Sequence, residues 1–207
     1  MRIASRTKLS VGITALSLLL IGCSTGGNAT PTTSPTAPSN PSAASPSDSQ
    51  TPNLLEQYAV DATATSNYGD KAGSEWNATN AVGAPSVRAC ADDGAAWASL
   101  NKNTVDSILL RYQTPVIPTE VWVVQNYNPG YVTEVKVQGA NRSAVVYTAA
   151  PAPQSSCPST LKVPIKNVDF LVDFVDVTVD QRTLNNWSEI DAVKLVGTVP
   201  SNTGLPG

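Results

Sequence analysis

Asp169, Asp173, Asp176 and Asp180 recur along one segment, and Glu189 and Asp191 stand two positions apart. Paired carboxylates can hydrolyse glycosides when a cleft holds them about 5–10 Å apart. A small domain without large insertions rarely builds such a cleft, and most of these acids fall at positions expected to be solvated. The chain contains no histidine. That removes the commonest general base, the usual partner of a nucleophilic Ser or Cys, and the commonest zinc ligand. The expectation is a protein without catalytic activity.

The aromatic residues suggest different chemistry. Sugar rings stack their C–H faces on aromatic rings while polar side chains read the hydroxyls. Tyr127 and Tyr131 flank the turn Asn128-Pro129-Gly130, and Tyr68, Trp76 and Trp187 sit in loop-like stretches. Asn126, Asn128 and Arg142 could supply hydrogen bonds. Tyr127, Asn128, Tyr131, Trp76 and Trp187 are therefore the candidate ligand contacts, whereas Trp97 and Trp122 are expected in the core. The formal charge is −3, and three basic groups, Arg2, Arg6 and Lys8, lie at the N-terminus. The remainder is acidic and has no Lys/Arg cluster, so nucleic acid is not an expected partner.

These residues need a scaffold, and the pattern from Asp106 onward is strand-like. Ile108, Leu110 and Tyr112 alternate with Leu109 and Arg111, and Pro115 and Pro118 then interrupt. Val121–Tyr127 and Tyr131–Val137 read as neighbouring strands joined by a tight loop. Ala144 to Thr148 and Leu161 to Ile165 are further short strands. Val168 to Val179 changes its inward parity near Phe174-Val175, as a β-bulge would cause. Ile190 to Val196 closes the domain. Short strands separated by Gly, Pro and Asn turns predict a β-sandwich, and residues 61–105, small and polar, are expected to be loop-rich.

The N-terminal part is organised differently. A positive start is followed by an apolar run from Val11 to Gly22. That run is shorter than the roughly 20 residues of a membrane span, and the pattern is that of an export signal. It ends Leu20-Ile21-Gly22-Cys23, which resembles the lipobox of bacterial lipoproteins. The resemblance implies that residues 1–22 are removed, that the Cys23 thiol carries diacylglycerol, and that the freed amine is acylated. Such chains anchor a protein on the outer side of a cell membrane or in an outer membrane. Residues 24–53 then contain no Val, Ile, Leu, Met, Phe, Trp or Tyr, and include six prolines. This composition predicts a disordered Ser/Thr/Pro-rich linker, about 90 Å long when fully extended and about 30 Å as a coil. The expected organisation is a signal peptide at 1–22, lipidated Cys23 with its linker to 53, a β-sandwich at 54–198 and a flexible tail at 199–207. In an exported protein, Cys90 and Cys157 most simply form a disulfide, two free thiols being the alternative.

An ordered set of local motifs carries a second resemblance. These are Ser74 to Pro85, Ala96-Trp97-Ala98-Ser99, Pro118 to Val121, Tyr127 to Gly130, and Trp187 to Val193. The set resembles a galactose-binding-like (discoidin-type) jelly roll, similar to the variant at the N-terminus of F-box and leucine-rich-repeat protein 4. That resemblance implies an all-β, eight-stranded sandwich whose ligands bind on loops at one end. Carbohydrate is the ligand of many members. It also implies one structural Ca²⁺ near the terminal strand, for which Asp92, Asp93 and Glu189 are the candidate ligands. Val82 stands where carbohydrate-binding members usually carry an acid. The function expected is a membrane-tethered, extracytoplasmic binding module for glycan or another envelope ligand. The alternative is a structural or adhesion lipoprotein that binds a protein partner.

Overall fold

A computed structural model describes residues 53–200. The expected signal segment, Cys23, the linker up to residue 52 and the tail from residue 201 lie outside the described residues. No helix among the described residues is long and apolar enough to cross a membrane.

Eight antiparallel strands form the domain. They are β1 (Leu54–Tyr58), β2 (Asp61–Ala64), β3 (Val105–Tyr127), β4 (Val132–Gly139), β5 (Arg142–Thr148), β6 (Ser159–Pro164), β7 (Val172–Asp180) and β8 (Glu189–Thr198). One sheet runs β1-β8-β3-β6 and the other β2-β3-β7-β4-β5. β3 belongs to both. Its first half pairs with β2 and β7, and its second half with β6 and β8. Inward residues of both halves, among them Ile108, Leu110, Val121 and Val123, meet β7 and β8 residues in one core. The two inner faces bury alternate side chains, as sheet packing requires.

Three sequence expectations change at this level. Pro115 and Pro118 do not end a strand; they lie inside β3, where it leaves one sheet for the other. The ladder is irregular there, with register shifts between Arg111 and Val116 and between Pro118 and Glu120. A missing N–H is tolerated at such a point. Gly197 of β8 passes this corner closely. A methyl built on it would lie 2.5 Å from the Ile117 carbonyl oxygen and 2.6 Å from Val116 Cγ2. The expected parity change in β7 is present, Val172 and Val175 both being buried, but the extra residues lie on β3, which advances from Arg111 to Val116 while β7 moves only from Phe174 to Val172, so the bulge belongs to β3.

The second change concerns Val121–Tyr127 and Tyr131–Val137, which are not paired neighbours. β3 ends beside β8, Tyr127 opposite Glu189, whereas β4 starts beside β7, Val132 opposite Val179. The Asn128-Pro129-Gly130 turn therefore bridges the sheets. Asn128 and Gly130 both take positive φ, at 42° and 105°. The Asn128 amide donates to the Trp187 carbonyl at 2.7 Å, which ties the bridge to the approach of β8.

The third change is Trp122, which is not a core residue. Val121 and Val123 point inward, so strand alternation sends Trp122 to the outer face. There it lies between Lys162 and Lys194, whose ammonium groups stand 3.9 and 4.1 Å from its ring centroids. Lys162, Trp122, Lys194 and Tyr58 occupy one cross-strand row, so these contacts link four strands. Trp97 is in the core as expected, at 1% exposure.

Cys90 and Cys157 form a disulfide with a Cα–Cα distance of 5.1 Å. It ties the long β2–β3 connection to the β5–β6 connection. Closing a loop of this length stabilises a fold by roughly 4 kcal/mol in the chain-entropy account.

Candidate functional site

The β2–β3 connection, residues 65–104, holds a single short 3-10 helix, Ala78–Ala81. Its path is set by side-chain hydrogen bonds at one end of the sandwich. Asp106 accepts from the hydroxyls of Thr65, Ser66 and Thr104. Asn80 donates to the carbonyls of Ser74 and Gly94, both at 2.8 Å. Trp97 pairs with Ile190 across an isolated bridge, and its indole N–H reaches the Ser66 carbonyl. Asp191 accepts from the main-chain N–H groups of Ser86 and Val87, and from the Ser86 hydroxyl. Asp191 therefore fastens a loop and does not pair with Glu189 across a cleft. Asp169, Asp176 and Asp180 make ion pairs with Arg142, Lys136 and Arg182; the Asp169 carboxylate is exposed, but those of Asp176 and Asp180 are largely buried and so are not the solvated acids expected.

On this platform lies a pocket of about 90 Å³, lined by Tyr68, Trp76, Asp92, Ala98, Trp187 and Glu189. The Tyr68 ring meets Trp76 edge-on at 5.3 Å and Trp187 edge-on at 5.6 Å between centroids. Tyr68 is 52% exposed, so this group of rings opens to solvent. Trp76 takes φ of 54°, an uncommon conformation for a bulky residue. It is held there by its N–H on the Gly94 carbonyl (2.8 Å) and its own carbonyl on the Ala98 N–H (3.2 Å). Strain at a loop residue that presents its ring to a pocket is a common sign of function.

The polar wall is acidic. The Trp76 indole N–H is shared between Asp92 Oδ1 at 3.1 Å and Glu189 Oε1 at 3.2 Å. Glu189 Oε2 accepts from Asn126 Nδ2 at 2.6 Å and from the Asp93 N–H at 3.2 Å. Asn126 in turn donates to the Ala91 carbonyl, so one buried amide joins the β8 carboxyl to the loop beside Cys90. Burial pushes the Glu189 carboxyl up to about 8; the Asn126 and Asp93 donors pull it down, and the Asp92 carboxylate pushes it further up. The Trp187 indole N–H is committed to the Ser99 carbonyl at 3.0 Å.

The structure thus brings Trp76, Trp187, Asp92 and Glu189 together, with Asp93 beside them through its main-chain N–H, and leaves Tyr127, Asn128 and Tyr131 outside the pocket. Tyr131 is 5% exposed and packs in the core, so it is not a surface ligand contact. Its turn bridges two sheets, which carries the ring inward. The Tyr127 hydroxyl accepts from Asn186 at 3.2 Å, and Asn128 is used by the Trp187 carbonyl. Neither lines the pocket. Arg142 pairs with Asp169 and covers Phe170. Of the three candidate calcium ligands, Asp92 and Glu189 both accept from the Trp76 indole N–H. Asp93 offers Glu189 an N–H, and both Glu189 oxygens already accept from protein donors. Among the described residues, no group of three or more His, Cys, Asp or Glu side chains could hold a metal ion. The anchoring roles of Asn126 and Asp191 had one trace in sequence: polar residues inside otherwise apolar strand runs.

Two sheets sharing a bent strand, with a small pocket among the loops at one end, define a galactose-binding-like jelly roll. The chitosan-binding module 1 of a chitosanase/glucanase from Paenibacillus sp. IK-5 aligns with 14% identity over 65% of this chain and 92% of that one, at a TM-score of 0.50. The family 32 carbohydrate-binding module of C. perfringens NanJ, solved in complex with galactose, aligns with 12% identity over 69% of this chain and 99% of that one, at a TM-score of 0.46. The family described as "Pappalysin-1, SD scarf domain, C-terminal" matches residues 47–204, and the chain belongs to that family. No curated protein matches the chain.

Proposed function

We propose that this chain is a non-catalytic, membrane-tethered binding module that takes carbohydrate of the cell envelope in the Tyr68–Trp76–Trp187 pocket. One observation carries the reading: three aromatic rings and two carboxyl groups converge at the loop end of a rigid sandwich. Ring faces suit the C–H faces of a sugar, and carboxyl oxygens suit its hydroxyl donors. The chitosan-binding function of the Paenibacillus module, which shares the fold, supports the same ligand class.

The remainder of the chain fits a tether. On this reading residues 1–22 direct export and are removed, Cys23 carries lipid, and residues 24–53 space the 54–198 sandwich from an extracytoplasmic membrane surface. The binding site then faces envelope glycans.

The test is a glycan array probed with the detergent-solubilised full chain, wild type and Tyr68→Ala. Selective glycan signal that falls at least tenfold in the variant supports the reading. Loss of one stacking ring costs about 1.4 kcal/mol for each tenfold in affinity. An absence of glycan signal, together with a protein recovered by crosslinking, supports the adhesion alternative instead.

A further inference from the structure

The pocket's hydrogen-bonding inventory is weighted towards acceptors, the Tyr68 hydroxyl being its one uncommitted side-chain donor. A neutral sugar hydroxyl both donates and accepts, so a site for it usually offers both kinds of group. Here the two indole N–H groups of the lining are already committed, Trp76 to Asp92 and Glu189, and Trp187 to the Ser99 carbonyl. Ala98 has no polar side chain, and no Lys or Arg lines the pocket. What lines the pocket for a ligand is the rings of Tyr68, Trp76 and Trp187, the Tyr68 hydroxyl and the Asp92 carboxylate, with the buried Glu189 carboxyl adding its charge from behind. Aromatic faces attract cations through the ring quadrupole. Acceptors and π faces together suit a ligand group that only donates and carries positive charge.

We propose that the Tyr68–Trp76–Trp187 cage with the Asp92–Glu189 wall binds an organic ammonium ion. This rests on the pocket being the ligand site and deepens that reading by naming the charge of the group it selects. Asp92 is exposed at the pocket edge and meets the cation first. Glu189 lies behind it on β8, fixed by Asn126 and the Asp93 N–H. An arriving positive charge favours the ionised form of Glu189, so binding releases a proton in part. An amino-sugar amine and a choline headgroup share this chemistry.

The experiment is calorimetric titration of the full chain in detergent, with four probes at one pH: a glucosamine oligosaccharide, its N-acetylated counterpart, galactose and choline. The wild type and the Asp92→Asn and Tyr68→Ala variants are compared, and circular dichroism checks each fold. An ammonium probe should bind at least tenfold tighter than the two neutral sugars, and Asp92→Asn should reduce that preference at least fivefold. Preference for the glucosamine oligosaccharide identifies an amino sugar; preference for choline identifies a quaternary headgroup. A neutral sugar held as tightly as either ammonium probe, and lost in Tyr68→Ala, overturns the charge assignment while the pocket stands as the ligand site. Binding of any probe that is unchanged in Tyr68→Ala removes both readings. No heat from either ammonium probe at millimolar concentration overturns the inference.

Discussion

Glu189 is the residue on which the loop end turns. It is buried, it accepts from Trp76, Asn126 and Asp93, and its carboxyl is pushed up to about 8 from an ordinary 4.5. A carboxyl whose folded value lies above its unfolded one supports the fold fully below the unfolded value. That support drains as the pH rises through the window and is gone above the folded value. Glutamine keeps the carbonyl acceptor and cannot ionise. Relative to Glu189→Gln, the wild type should therefore lose stability between about pH 4.5 and about pH 8 and stay level above it. The loss should be on the order of 5 kcal/mol, or roughly 10–20 °C in Tm. Thermal melts of both proteins across pH 4–9 measure it, and parallel curves would show that Glu189 is not held neutral. At this scale the sequence was partly legible. Trp76, Trp187, Asp92 and Glu189 were recognisable as loop aromatics and candidate acids. Their meeting was not, because residues 76 and 189 are joined by hydrogen bonds between segments 113 positions apart. Tyr131 was misplaced for a related reason: a tyrosine beside a turn reads as exposed until the turn is seen to cross between sheets.

At the scale of elements, alternation located the strands well and their neighbours poorly. β3 read as two strands because Pro115 and Pro118 are ordinarily strand breakers. In the fold they sit where the strand changes sheets, so their missing N–H groups fall at an irregular ladder. Trp122 read as core because large aromatics usually are; its parity within β3 assigns it to the outer face, over which Lys162 and Lys194 lie. The corner also makes a prediction. Gly197→Ala would place a methyl against the Ile117 carbonyl and Val116. Backbone cannot give way as a flexible side chain can, so the change should cost about 1–3 kcal/mol. A thermal melt should register this as roughly 3–10 °C, and an unchanged Tm would mean that β8 does not pass the corner so tightly.

For the whole molecule, the proposed function joins a described head to a proposed anchor. A diacylglycerol group with a further acyl chain gives stable membrane attachment, since each buried CH₂ contributes about 0.8 kcal/mol. Cys23→Ser should therefore leave the export signal unprocessed by the lipoprotein route and shift the protein's mass by the lipid it lacks. Intact-mass spectrometry of membrane fractions measures both. A wild-type protein of unmodified mass, recovered in the soluble fraction, would remove the anchor and leave the binding head unaffected.

Local chemistry was written in the chain order: two-residue alternation made the domain all-β, the motif order pointed to a galactose-binding-like jelly roll, and the pair Cys90 and Cys157 stood out in an exported context. Alternation tells which residues share a face, and composition tells where loops run. Neither tells which sheet a face looks into, or which loops touch. The tertiary structure decided that Trp122 lies outside and Tyr131 inside, and that Tyr68, Trp76, Trp187, Asp92 and Glu189 surround one pocket. Those outcomes depend on pairings between distant segments, such as β8 with β3 and Trp97 with Ile190. The free energy of such pairings comes from burying two surfaces at once, and neither surface alone carries it.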